Sequence, residues 1–459
     1  MQIPIPLRSN PGAFKLQGEA TVLNAYAQFE GPEAKAATIL RACAGLKRFG
    51  NDAAAACRGM IYIEEDNVVY TVNGLNLYKM EENGTLTQLQ LIPGDGPVYF
   101  ARNDAEPPLT MVVSNGLVWE ISNGTITFKS YDFTPAGVTF SGGRFLFWES
   151  NGRVWYSDIN SSDVDGLSFF EAEGDPDGLT KVQGSINTLY LVGKRTTEIW
   201  QVTADPNSPF GRVGGAHMRF GSESPHSIGN FNEGVVLIDN NNTVKFLNGF
   251  NYETISTNEI TRLINTESDK SAIVGFSYTQ DQNRFYCLQG TGWTREYNAT
   301  TNAWHNRETI GQSDWDSIYS VEAWGKKIFG SKTLGLFSEL DNTLNTENGY
   351  ELVFGFVTPV IHAHPRGLSF KSLDIDVEAG GADIGREPLL MFDYSDDNGR
   401  TWSVERLLGL GNQGQYGKRA RVTGLGQASE KGRMFRVRVS DPGIRDVTSI
   451  AVDAAPVNI

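Results

Sequence analysis

The sequence predicts an all-β protein: a β-propeller of six to eight blades, seven favoured, with an additional C-terminal β-sandwich-like domain. Three observations lead there. The 459 residues include 50 Gly, 9 Trp, 16 Tyr and 25 Phe, a composition suited to short strands joined by tight turns. One unit recurs along the chain: an alternating apolar run, a turn of Gly, Asn or Asp, and a second run carrying an aromatic. Helix signals, by contrast, are sparse.

The recurring unit is read at GMIYIEEDNVVYTV, LTMVVSNGLVWEIS, GRFLFWESNGRVWYSD, NTLYLVGKRTTEIWQV, EGVVLIDNNNTVKFLN, NRFYCLQGTGWTREYN and GKKIFGSKTLGLFSEL, starting at 59, 109, 143, 187, 233, 283 and 325. A four-stranded blade takes about 40–50 residues, and most of these intervals cluster there. Two β-sandwiches would share the alternation; the clustering favours the propeller. Asn115-Gly116, Asn123-Gly124 and Asn151-Gly152 suit hairpin turns with φ > 0 at both central positions. Alternation places Phe145, Phe147 and Trp155 where neighbouring blades bury them.

Residues 1–58 form an N-terminal β segment, with ATVLNAYAQFE as a strand-like run that closes the ring or packs beneath it. Residues 59–345 are the propeller. The polar stretch DNTLNTENGY (341–350) marks a boundary. Beyond it, residues 346–459 hold VFGFVTPVI, SFKSLDIDVEA, LLMFDYSDD, WSVERLL, RARVTGL, MFRVRVSD and SIAVDA, strand candidates enough for a sandwich. Two helices are expected. Ser256 as N-cap with Glu259 reaching back forms a capping box before EITRLI, and residues 32–43 are helical by propensity, although Thr38 and Ile39 equally suit a strand.

Lys and Arg number 39 against 54 Asp and Glu, a formal charge of −15. Such a chain gains nothing from counterion release on nucleic acid and is not drawn to an anionic membrane. No stretch approaches the roughly 20 apolar residues of a spanning helix, so no membrane anchor is expected. MQIPIPLRSN lacks an apolar core and a cleavage site, so no signal peptide is expected either. Cys43, Cys57 and Cys287 are odd in number and match no motif spacing, which fits folding in a reducing cytoplasm.

Motifs with chemical potential are few. Ser395, Asp397, Gly399, Thr401 and Trp402 fit S-x-D-x-G-x-T-W, the Asp-box hairpin. There, Ser and Asp satisfy turn amides, Gly supplies an unusual φ and Trp packs back on the hairpin. A glycosidase would need paired carboxylates, or a Tyr nucleophile with an arginine cluster, beside a single box outside the propeller. Gly409–Gly414 matches G-x-G-x-x-G, yet a strand follows where a dinucleotide site needs a helix. Around Gly193-Lys194-Arg195-Thr196 the phosphate-loop pattern fails at both ends. His362 and His364 share a strand face without a third ligand, and Asp158, Asn160, Asp163 and Asp165 lack the spacing of a calcium loop. The expectation is no catalytic residue, no cofactor and no metal.

Taken in order, several segments resemble the packaged-DNA stabilisation (tail hub or nozzle) proteins of short-tailed phages. They are RGM at 58–60 with VVYTVNGLNLYKM, then YSDIN, FFEAEGDPDGL, LYLVGKRTTEIWQVT, SPFGR, FGSESPHSIG and ETISTNEITRLI. HPRG, the Asp-box run and KGRMFRVRVSD continue the series through the C-terminal part. Ala44 departs from the pattern, which has Pro before Gly45-Leu46. The resemblance implies a structural virion protein, made in the host cytoplasm. Its partners would be five further copies in a six-fold ring, the portal-adaptor connector, and the tail needle or tailspikes. DNA would pass its lumen without tight binding, and an acidic wall would suit that passage. The competing reading is a carbohydrate-active, glycosidase-like propeller of the tail; a passive sugar-binding module is a third.

Overall fold

The computed structural model describes residues 2–3, 5–172, 174–185, 188–206, 208–378, 385–441, 443 and 445–458. Asn187, which opens the fourth recurring unit, Glu173 in FFEAEGDPDGL, and Ala379 lie outside them. Seven four-stranded antiparallel sheets follow one another: blade 1 (57–91), blade 2 (99–129), blade 3 (137–171), blade 4 (181–218), blade 5 (229–254), blade 6 (274–306) and blade 7 (317–341, completed by Gly45–Arg48). The first strand of each blade packs against the first strand of the next, and that of blade 7 packs against that of blade 1. The ring is therefore closed around an axis lined by seven inner strands.

Each blade-to-blade seam holds its own apolar wedge. Between blades 2 and 3, Met111, Val113 and Val118 meet Phe145, Phe147 and Trp155. Equivalent clusters fill the other six seams. Alternation does this locally, since each central strand buries side chains on both faces against two neighbours. The recurring units are strands two and three of blades 2 to 7, but strands one and two of blade 1. That one-strand offset lengthens the first interval.

The seventh blade is closed by a strand from far away in sequence. Gly45–Arg48 pairs antiparallel with Phe337–Asp341 as the outer strand. Just before it, the N-terminal segment belongs to the sandwich: Gln2–Ile3, Ala25–Phe29 and Thr38–Ala42 join a sheet with Gly367–Val377, Ala420–Ala428 and Val447–Val457. The facing sheet contains Phe354–Val357, Leu389–Ser395, Arg406–Gly409 and Met434–Val439, all at positions where the sequence predicts strands. Thr21–Leu23 sits between that sheet and blade 6, antiparallel to Phe354–Val357 and parallel to Ala303–Asn306. One sheet thus runs from the propeller into the sandwich.

Local expectations need three corrections. Residues 32–43 carry no helix; Thr38–Ala42 is a strand, because Leu40 is buried in the sandwich core and burial overrides propensity. The helix Asn258–Thr266 is capped by Thr257, whose hydroxyl accepts from Ile260 N–H, rather than by Ser256. Ser256 Oγ instead accepts from Val244 N–H, and Glu259 turns inward to Arg295 at 2.8 Å. Asn115-Gly116 and Asn123-Gly124 have φ > 0 at both positions, whereas at 151–152 only Gly152 does. There the turn is longer, and the Asn151 side chain accepts from Arg153 N–H.

Candidate functional site

Propeller and sandwich meet over a buried cluster of charge. In blade 6, cross-strand register places Cys287, Glu296 and His305 in one row. Glu296 is fully buried; Tyr278 Oη donates to one of its oxygens at 2.8 Å and His305 Nε2 to the other at 2.7 Å. Arg307, also fully buried, brings Nε within 3.7 Å of the same carboxylate and lays its guanidinium over Trp315, 4.2 Å from the ring centre. None of its nitrogens makes a hydrogen bond of standard geometry within the described residues. Trp315 Nε1 in turn donates to Glu347, which pairs with Leu46 of the closing strand. Burial alone would raise the Glu296 carboxyl, but Arg307, His305 and Tyr278 outweigh it and hold it below its ordinary range.

Cys43, between the sandwich strand and the closing strand, completes the cluster with Sγ 3.8 Å from His305 Nε2. A Cys–His–Glu relay would need the two imidazole nitrogens to face the two partners separately. Here a single nitrogen faces both. Burial moreover pushes the Cys43 thiol up to about 12, away from a nucleophilic thiolate. Cys43, Glu296 and His305 are the one set of three metal-type donors among the described residues. The positive charge their carboxylate needs is already supplied by Arg307. The geometry is that of a structural lock.

Two neighbouring groups reinforce it. Asn24 donates to the carbonyls of Glu308 and Val353 and accepts from Glu308 N–H, tying the end of blade 6 to the entry of the sandwich. Arg445 donates to the carbonyls of Leu352 and Asn345, fastening the link between the domains. Ala44 N–H donates to Gln280 Oε1 at 3.3 Å, a bond that Pro cannot make.

A further concave feature, a cavity of about 460 Å³ bounded by Asn232, Glu233, Arg284, Glu322 and Lys327, lies where blades 5, 6 and 7 meet. Its carboxylates are paired, Glu233 with Arg284 at 4.0 Å and Glu322 with Lys327 at 3.9 Å. The two acids a glycosidase aims at one sugar are instead each set against a cation.

The Asp-box residues form a tight hairpin on the sandwich. Ser395 Oγ donates to Asp397 at 2.7 Å and accepts from Gly399 N–H at 2.8 Å. Asp397 accepts from the amides of Arg400 and Thr401 and from Thr401 Oγ1, and these bonds hold its carboxyl down at about 2. Gly399 takes φ 83°, and the Arg436 guanidinium covers Trp402 at 4.1 Å. Beside the box, Asp396 forms a bidentate pair with buried Arg433. The run 409–414 leaves the strand Arg406–Gly409 and loops towards the strand Ala420–Ala428. His362 and His364 are exposed. Asp158 and Asp163 pair with Arg144 and Lys129, and Asp165 accepts from Leu167 N–H. Sequence reading missed the junction because its members come from four separated segments; only the register of blade 6 aligns them.

A family model described as bacteriophage P22 Gp10, beta-propeller, matches residues 19–345, and one described as bacteriophage P22 Gp10, beta-sandwich, matches residues 353–455. The chain belongs to the bacteriophage P22 Gp10 family. It is accordingly a phage tail-related structural protein, a component of the virion tail. A comparison with curated proteins returns no match. Solved structures similar to it include the WD40 β-propeller domain of Doa1 (11% identity, 65% of this chain and 97% of that one, TM-score 0.42). The computationally designed Ika8 protein is another (13%, 74% and 100%, 0.38). A third is the extracellular domain of the hybrid two-component system BT4673 of B. thetaiotaomicron (8%, 72% and 42%, 0.44). At these TM-scores the likenesses carry no argument. The two Gp10 models divide the chain at the linker that Arg445 clasps. No helix among the described residues is long and apolar enough to cross a membrane.

Proposed function

We propose that this chain is the ring-forming tail hub of a short-tailed phage. Six copies attach below the portal and its adaptor, close the DNA exit channel, retain the packaged genome and carry the tail needle or tailspikes. The observation that carries this reading is the pair of Gp10-family matches, which together take in both domains. The physical character of the molecule supports it. A closed propeller continued by hydrogen bonds into a sandwich makes a stiff block. The cluster that could have been catalytic is instead an ion-pair lock with a thiol held neutral. The role is non-enzymatic.

Six copies at −15 would place about −90 of formal charge around the exit channel, so DNA would slide rather than stick. Electron microscopy of the purified protein with and without portal–adaptor complexes tests the proposal. A six-fold ring below the adaptor, with DNA leaking from particles assembled without the protein, is the expected result. A chain that ignores connectors, or particles that keep their DNA without it, would overturn the hub. A ring lumen lined with Lys and Arg would overturn the sliding wall.

A further inference from the structure

At one level of the propeller axis, four blades bring hydrogen-bond donors and, among the described residues, no acid. Lys181 is the first residue of the inner strand of blade 4, and Tyr99 holds the same position in blade 2. His226 lies just before the inner strand of blade 5, stacked on Tyr99 with centroids 5.4 Å apart. From blade 7 comes Tyr319, which sits in a bulge of the inner strand with φ 54°. Strain of that kind persists where the surroundings hold a side chain in a chosen place. Gly137 starts the inner strand of blade 3 at this level, and a Cβ there would collide with Trp148 and Tyr99.

The Lys181 ammonium donates to the Ile228 carbonyl at 2.5 Å and lies 5.4 Å from the centre of the Tyr99 ring. No carboxylate of the described residues pairs with it, whereas the buried Arg307, Arg433 and Arg445 each have a counter-charge or a set of carbonyls. Two of its three N–H groups, both tyrosine hydroxyls and the His226 ring have no acceptor among the described residues. Nearby Arg58 is already spent on the carbonyls of Gly74, Ile92 and Gly96 and on Ser114 Oγ. The acid that acts on Arg58 is Asp95, which is exposed on a loop. A lining of donors around a half-buried cation is complementary to an acceptor-only ligand with negative charge.

We propose that the propeller axis holds a small inorganic oxyanion of the phosphate type, bound by Lys181 with Tyr99, His226 and Tyr319 around it. The inference is independent of whether the chain forms a ring. Isothermal titration of the full-length protein with inorganic phosphate at pH 7, in a buffer free of other oxyanions and at constant ionic strength, tests it. Saturable one-to-one binding is expected, lost in Lys181→Met and weakened three- to tenfold in Tyr319→Phe, which removes only a hydroxyl. Melting temperature should rise with phosphate in the wild type alone. Absence of saturable binding, equal binding by Lys181→Met, or an equal rise in melting temperature with chloride would overturn the site. If Lys181→Met does not fold, Tyr319→Phe and Tyr99→Phe decide: wild-type affinity in both would overturn it.

Discussion

Glu296→Gln isolates the charge at the junction. The substitution keeps the side chain's shape, and its one oxygen still accepts from Tyr278 while its NH2 faces His305 Nε2, which must take the other tautomer to accept. It leaves Arg307 without its nearest carboxylate in the core. At 3.7 Å and an effective dielectric of about 20, the lost attraction is about 4 kcal/mol, within the range of about 3–5 kcal/mol for breaking a buried pair. For a chain of 459 residues that corresponds to a fall of about 3–5 °C in melting temperature at pH 7. The pH dependence carries a sign. Because the folded carboxyl lies below its ordinary value of 4.5, its stabilisation is present above that value and is lost as pH falls through the lower folded one. Scanning calorimetry from pH 7 to pH 3 should therefore show wild type and variant converging in acid. The double variant Glu296→Gln/Arg307→Met, with no stranded charge, should recover most of the loss. A single variant that melts within about 1 °C of wild type at pH 7, or a gap unchanged at pH 3, would refute the ion-pair lock.

Three further outcomes are expected. Lys181→Met, without phosphate, should stabilise the fold. Burial holds the Lys181 ammonium down at about 8 against its ordinary 10.5, so the folded state bears a cost of about 3 kcal/mol at pH 7 that falls to about 1 kcal/mol by pH 9.5, measurable as a narrowing difference in melting temperature. Gly45→Ala should loosen ring closure, since its Cβ would lie 2.4 and 2.7 Å from the carbonyl oxygens of Thr346 and Leu344; faster amide exchange in 317–341 than in blade 3 checks this. Asp397→Ala should cost about 1 kcal/mol through the lost hydrogen bonds of the hairpin, read as a lower sandwich transition. In the wild type the same contribution should fade as pH drops from 3.8 towards about 2, because a carboxyl held low in the fold loses its advantage only in acid.

Much of the propeller was legible because its determinants are local. Alternation around Phe145, Phe147 and Trp155, with Asn-Gly turns, predicts hairpins, and their spacing predicts blades. Local signals failed where a distant partner decides the outcome. Thr38–Ala42 carries helix-compatible residues but lies beside Val447–Val457, a neighbour some 400 positions away that no window reveals. Spacing places the capping box at Ser256 but cannot say which hydroxyl a neighbouring strand claims; Val244 N–H claims that of Ser256. The junction was invisible for a related reason. Glu296 falls inside a recognised hairpin, but His305 comes from an outer strand that the repeat did not include, and Cys43 from a segment with no periodicity. Lys181 gave no signal at all, since an exposed strand end and a buried axis have the same sequence. The Asp-box needed no distant partner and was legible whole.

The N-terminal segment ties the two domains together through shared strands. Within fewer than 50 residues it supplies edge and inner strands to one sandwich sheet, the strand that joins the other sheet to blade 6, and the outer strand of blade 7. Propeller closure and sandwich assembly therefore cannot be completed independently, because the same chain must be threaded through both. Any hinge between the domains would have to break main-chain hydrogen bonds at Leu23, part Asn24 from the carbonyls of Glu308 and Val353, and expose the Glu296–Arg307 pair. Each step costs on the order of 1 kcal/mol or more, and they must occur together. Stiffness thus arises from topology more than from any one contact. A subunit built this way transmits a load applied to the sandwich into the propeller without dissipating it in hinge motion.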